Sequence, residues 1–337
     1  MKHRTCFAQR TIVAAIACAV LVIAGAAQAE EPEDQFAPKP PVPEGAKLIE
    51  GDIIVPIDWT RSSDGSGIGV QGTPTTDNSW WSGGVVPYAF DANVTAANRT
   101  NAINAMAEWE AVANVDFRAR NGEGDYIHIQ SSTENSSWVG VTGGKQVVNI
   151  ASWGSRFIIA HELGHALGLW HEQSRKDRNT YITVNLGSID DDKEHNYDIE
   201  NSSFTYGSYD FDSVMHYGQC SFASCTCPST CTAMTVKAPW NAQWQNAIGQ
   251  RDHLSDLDIL TMQAMYPEPG DVFVDGTYTG LFQFGTLRLP FKTFTQGAAM
   301  VPVNGRVIIH PSTYTGNSGV YAKRMTLRAP LGGVLLK

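Results

Sequence analysis

The chain has 337 residues, 42% of them hydrophobic, which is enough for a large core and two or three folded units and excludes an intrinsically disordered protein. Its formal net charge is −10, and acidic residues outnumber basic ones by 34 to 24, so it offers no electrostatic footprint for nucleic acid, whose phosphates demand clustered Lys and Arg.

Lys2, Arg4 and Arg10 precede an apolar run over residues 12–26, and Ala27, Gln28 and Ala29 follow it before acidic residues begin. This is the layout of a cleaved secretory signal over 1–29, because the run is short for a membrane span and small residues stand where a signal peptidase cuts. The protein is therefore expected to be secreted, extracellular or periplasmic, with no stable membrane association once the signal is gone. Cys6 and Cys18 leave with it, so Cys220, Cys225, Cys227 and Cys231 remain. An even number of cysteines in an exported chain reads as disulfides, with three pairings open. A second zinc site is the weaker reading, since the spacing is not the paired C-x-x-C of zinc ribbons.

Residues 30 to about 47 are rich in Pro and acidic groups and read as extended. Residues 48–57 turn apolar, and the Gly/Ser stretch over 62–72 reads as an exposed loop that a protease can reach. From Trp80 the texture is that of a compact domain. A strand is expected over 85–88 and a helix over about 95–113, where Ala102, Met106, Trp109 and Ala113 share one face. Strands are expected over 115–118, 126–130, 138–141 and 146–150, with His128 in a structural role.

The segment from His161 to His171 fits H-E-x-x-H-x-x-G-x-x-H. On a helix His161 and His165 lie four apart and point the same way, so both can reach one ion. Glu162 is turned by about 100° from the first ligand and can reach a water beside the metal without filling a ligand position. Gly168 permits a left-handed turn that ends the helix and brings back His171 as a third nitrogen. Three histidines leave a position open, the mark of catalytic rather than structural zinc, and Glu162 has no use in a closed site. Chance production of all five fixed positions in such a chain is on the order of one in ten thousand. The expected chemistry is peptide hydrolysis by water, with one Zn2+ per protease domain and Glu162 as general base.

After Gly270 the composition changes to short β-type runs broken by Gly, Pro and Asn, which marks a domain boundary. Residues 268–337 are expected to form a small all-β module packed on the protease, with a succession of runs like the opening coils of a parallel β-helix.

The run from His171 through Glu172, Gln173, Ser174, Arg175, Lys176, Asp177 and Arg178 narrows the zinc motif. With Ser213-Val214-Met215-His216-Tyr217-Gly218, with Ile248 to Asp258 and with Trp81 to Tyr88, it makes the region from Trp80 to Tyr266 resemble the astacin family of metzincin metalloproteases. That resemblance implies an α+β metzincin zinc-protease fold: a mixed twisted sheet, an active-site helix and a cleft between two subdomains. It implies that Met215 forms a hydrophobic floor under the metal. Tyr217 lends its phenol as a further metal ligand and then hydrogen-bonds the oxyanion, and Glu172 contacts the buried mature N-terminus. The strand over 146–150 is expected to take an extended substrate by strand addition.

Ile49-Glu50-Gly51-Asp52 resembles the F-x-G-D element of astacin prosegments, with Ile49 in place of Phe, which implies that Asp52 ligates the zinc in a latent form. The implied organisation is a signal peptide over 1–29, a propeptide over 30–75, a protease domain over 76–267 and the module over 268–337. An activating protease is expected to cut between about 59 and 76. The cysteines depart from the family, since Ser137 and Ser152 to Ser155 stand where its usual partners lie, and all four instead follow the Met215 turn. The sequence thus reads as a secreted zinc metalloendopeptidase with protein or peptide substrates. The alternative is an exported binding or adhesion protein with a vestigial zinc site, against which the retention of Glu162 argues.

Overall fold

In the computed structural model, residues 42–60, 80–201, 203–316 and 319–337 are described. The expected signal peptide and nearly all of the expected activation region lie outside them.

The apolar residues 48–57 are not a simple extended run. β1 (Ala46–Ile49) and β2 (Ile53–Pro56) form an antiparallel hairpin, with Ile49 opposite Ile53. Its turn is Glu50-Gly51-Asp52, where Glu50 and Gly51 take positive φ of 48° and 72°. Ile49, Ile53, Val55 and Trp59 bury together with Val139, and Trp59 stacks on Trp170 at 5.9 Å between ring centroids.

β3 (Val85–Phe90) leads to α1 (Ala96–Glu110), whose N-cap Thr95 accepts from the Asn98 N–H. Then follow β4 (Asp116–Ala119), β5 (Tyr126–Ser131), β6 (Ser136–Trp138), β7 (Lys145–Ile150) and α2 (Arg156–Ala166). The strands make one mixed sheet in the order β1-β2-β6-β7-β5-β3-β4. β4, β3, β5 and β7 run parallel, β6 is antiparallel to β7, and β2 is parallel to β6. The predicted face of α1 is buried at Ala102, Met106 and Trp109; Ala113 lies beyond the helix and is half-buried. Trp109 is fully enclosed and its indole donates to the Ala160 carbonyl at 2.9 Å, so α1 is fixed to α2 over a core of Ile127, Ile129, Val148, Ile150 and Leu163. A buried aromatic N–H needs such an acceptor. His128 is structural as expected, paired with Asp91 at 3.0 Å.

Two strand expectations change. The strand expected over 138–141 is Ser136–Trp138, because the chain leaves the sheet at Gly140, whose φ is 66°. The strand over 146–150 is not free to add a substrate, because β7 is flanked on both edges, by β5 and by β6. The edge toward the cleft belongs to β6, and β2 occupies it.

Beyond α2, β8 (Ile182–Val184) and β9 (Met234–Val236) pair antiparallel, followed by a short α3 (Asn241–Trp244) and by α4 (Asp256–Met265). Tyr197, Tyr209, Phe211 and Tyr217 form the second core, with Trp240 and Trp244 packed against it.

The C-terminal region holds β10 (Val272–Val274), α5 (Phe294–Met300), β11 (Arg306–Ile309), β12 (Thr313–Tyr314), β13 (Thr326–Arg328) and β14 (Leu335–Leu336). β10, β11 and β13 stack in parallel, in chain order, as successive coils do. The region is not all-β: Thr293 and Gln296 form a capping box that starts α5, and Phe294 and Ala298 bury against the coil strands. Phe273, Leu287 and Ile308 pack with Ala264, Trp80 and Tyr206 of the preceding domain.

Candidate active site

α2 starts at Ser155, whose hydroxyl caps the Ile158 N–H, and carries His161, Glu162 and His165, all almost fully buried. The helix ends at Ala166, and Gly168 has a φ of 109°, the left-handed turn that the motif requires. His171 follows and faces the other two: the His161 and His171 rings stack at 5.3 Å, and each lies edge-on to His165 at 4.7 Å.

The tautomers follow from the partners. His161 Nδ1 lies 2.8 Å from the Val214 carbonyl and His165 Nδ1 lies 2.7 Å from the Leu169 carbonyl. His171 Nδ1 lies 2.7 Å from a carboxylate oxygen of Glu50. Each partner accepts, so each Nδ1 carries a proton and each Nε2 is the atom turned toward a shared ligand position. The His161 and His171 Nε2 atoms are 3.3 Å apart, and His165 Nε2 is buried without a hydrogen-bond partner. Asp52 completes the group, at 3.2 Å from His171 Nε2, 3.4 Å from His161 Nε2 and 3.9 Å from His165 Nε2. The four candidate donor atoms all lie within 4.8 Å of one another. Three buried imidazole nitrogens and one carboxylate oxygen converging on one point are a donor set that fits Zn2+.

Burial and the nearby Arg251 hold His161 down at about 4, and burial holds His165 well below the usual imidazole range. Burial also disfavours charge on His171, but Asp52 and Glu50 outweigh it and raise this ring to about 9. Burial works against an ionised Asp52 as well, yet the histidines beside it, His171 first, hold it well below the carboxylate range. Glu162 is pushed well above its usual range by burial and then by the charge of Asp52, and its Oε2 has no hydrogen-bond partner.

The Met215 turn is clamped from below. Asp258, in the capping box of α4, accepts from the Ser213 hydroxyl at 2.6 Å and from the Val214 N–H at 2.8 Å. Met215 is buried against α2, so close that a Cβ on Gly164 would lie 2.9 Å from its sulfur. Tyr217 sits beside His171, with 4.5 Å between ring centroids. Its hydroxyl donates to the backbone carbonyl of Glu50 instead of joining the ligand group, since the hairpin turn lies between. Glu172 is not a solvated helix end: it accepts from the Asp210 N–H at 2.7 Å, lies 3.3 Å from Arg175, and burial raises it to about 8.

Asp52, His161, Glu162 and Tyr217 line a cleft of about 710 Å³. Its walls include Ile158, Asn196, Ser221, Phe222 and Arg251. The cysteines pair as Cys220–Cys227 and Cys225–Cys231, two interlaced disulfides at this rim. Phe222, inside the first loop, packs on Tyr217, and a Cβ on Gly51 would lie 2.5 Å from its ring.

The backbone behind Tyr217 is equally tight. Gly249 has a φ of 86°, and a Cβ there would meet Gly218 backbone atoms at 2.3 and 2.4 Å. Gly249→Ala combines a left-handed L-residue, costing about 1–2 kcal/mol, with overpacking of about 1–3 kcal/mol against atoms that cannot rotate away. We expect a stability loss of about 2–5 kcal/mol, read from the urea midpoint; a loss under about 1 kcal/mol would show that the loop relaxes freely.

Sequence reasoning singled out His161, Glu162, His165, His171, Asp52 and Tyr217, and the structure brings them together. It gave no role to Glu50, Phe222 or Asp258. For Asp258 a signal existed, Ser255 three residues before an acidic side chain at a helix start.

Comparison with known proteins bears on this site. The family model described as Astacin, a peptidase family, matches residues 73–267. The low choriolytic enzyme of Oryzias latipes is 32% identical over 227 residues, 65% of this chain and 78% of its own. The astacin-like metalloendopeptidase of Mus musculus is 35% identical over 231 residues, and the meprin A subunit beta of Rattus norvegicus 32% over 227 residues. Each matches 66% of this chain, but the chain spans only 49% and 30% of those two relatives. The solved structure of high choriolytic enzyme 1, a hatching enzyme zinc-protease from Oryzias latipes, aligns with a TM-score of 0.50 and 28% identity. That alignment covers 62% of this chain and 93% of that one.

Proposed function

The chain belongs to the astacin family of zinc metalloendopeptidases, and we propose that it is secreted as a latent precursor that hydrolyses peptide bonds once residues 30–75 are removed. The observation that carries the reading is the convergence of the His161, His165 and His171 Nε2 atoms and an Asp52 oxygen, beside a buried Glu162 that lines the same cleft as His161 and Asp52. The domain limits are those of the motifs: signal over 1–29, propeptide over 30–75, protease over 76–267 and C-terminal module over 268–337. The signal-like N-terminus and the two disulfides support export.

His161, His165 and His171 hold the zinc, and Asp52 is its fourth protein ligand in the latent form. Zinc held there supplies Lewis-acid chemistry, polarising a carbonyl and acidifying water. Glu162 takes the proton of the attacking water and passes it to the leaving amine. Tyr217, released from the Glu50 carbonyl when the hairpin leaves, turns its hydroxyl to the developing oxyanion. The edge of β6, vacated by β2, takes the backbone of an extended protein or peptide substrate. An activating protease is the other required partner, and it cuts between about Trp59 and Thr76.

Casein cleavage after limited trypsin treatment tests this. Activity is expected to rise at least tenfold on treatment, to vanish with a zinc chelator and to return with added Zn2+. Cleavage that survives the chelator, or a fully processed zinc-loaded chain that cuts no member of a peptide library, would overturn the reading.

A further inference from the structure

The orienting partners of the three histidines are not alike. His161 and His165 donate to the carbonyls of Val214 and Leu169, which belong to the protease domain and stay after processing. His171 donates to Glu50, a residue of the segment that processing removes. Glu50 is 0% exposed, and its turn backbone is held at a φ of 48°. The same carboxylate oxygen accepts from the Ser174 hydroxyl at 2.7 Å, three residues beyond His171. A buried carboxylate persists only when it is partnered, so this arrangement is built rather than incidental.

We propose that Glu50 is a positioning residue through which the prosegment tightens the grip of His171 on zinc, so that the precursor holds its metal more firmly than the processed enzyme does. This deepens the latency reading above and rests on it. A carboxylate behind a metal-bound imidazole fixes the ring and raises its basicity more than a carbonyl does, and such outer partners are worth about 10–100-fold in metal affinity. Asp52 contributes from the metal side and Glu50 from behind the ring. When the hairpin leaves, His171 and Ser174 lose their shared acceptor at the same moment as the zinc loses a ligand.

The test is zinc transfer from the whole unprocessed chain to a competing chromophoric chelator, with wild type, Glu50→Gln, Ser174→Ala and Asp52→Asn compared. Glu50→Gln is expected to weaken zinc binding about 10–100-fold. Ser174→Ala should weaken it by less, because Glu50 keeps His171. The Co2+-substituted Glu50→Gln precursor should show a shifted visible absorption band, which a change confined to folding stability would not produce. After processing, wild type and Glu50→Gln should bind zinc alike, since the residue is gone. A zinc-loaded precursor whose affinity and Co2+ spectrum are indifferent to both Glu50 and Ser174 overturns this inference alone. A precursor that binds no zinc overturns the functional reading with it.

Discussion

Replacing Glu162 by Gln should lower peptide hydrolysis by the processed enzyme about 10²–10⁴-fold while leaving its zinc content at one per chain. Glu162 is 1% exposed, and it lies outside the four groups whose donor atoms converge. Its Oε2 has no hydrogen-bond partner among the described residues, and it lines the cleft beside His161 and Asp52. The amide of Gln occupies the same volume and cannot take a proton, so the loss should fall on kcat with little change in KM. Zinc stoichiometry by atomic absorption and an unchanged thermal midpoint would show that the site stays assembled. A Gln variant retaining more than about a tenth of wild-type kcat would sink the assignment of Glu162 as the base.

The second large effect concerns the uncleaved chain. Asp52→Asn should raise the activity of unprocessed protein about 10–150-fold, from a base close to zero. Hydrogen bonds to charged groups contribute about 1.5–3 kcal/mol, and each 1.36 kcal/mol is a factor of ten in the open population. Asp52 faces His161, His165 and His171 together, so its charge is one direct hold on the turn. Full activity should not appear, because β2 still occupies the edge of β6 and the Glu50 carbonyl still takes the Tyr217 hydroxyl. Unprocessed variant protein, zinc-loaded and no more active than unprocessed wild type, would refute the role of Asp52 as the latch. Loss of zinc from the variant would instead point to Asp52 as a ligand that the histidines cannot do without.

The three converging histidines were readable because each rests on local geometry. His161 and His165 need only a helix, and His171 needs only the left-handed turn at Gly168. What escaped sequence reasoning depends on pairings distant in the chain. Residues 138–141 and 146–150 both look like strands, and nothing local says that β7 is interior while β6 forms the edge. The role of Glu50 is set by a contact across 121 residues. The cysteine pairing had three solutions, and only the folded loop selects Cys220–Cys227 with Cys225–Cys231. α5 was missed although Thr293 and Gln296 announce it, because the Gly- and Pro-broken runs around it read as β.

The hairpin of β1 and β2 carries its own small core and makes its own hold on the protease, through β6, Trp170 and the metal ligands. A cut between about Trp59 and Thr76 leaves these contacts in place; what it changes is how concentrated the hairpin is. While covalently joined, the plug is present at an effective concentration on the order of millimolar, whatever the dilution of the protein. Once cut, it is an ordinary solute that must find the cleft by diffusion. On the proposed reading, activation is then governed by escape and dilution after the cut, and where product hairpins accumulate in a confined space the newly made enzyme should be slow to wake.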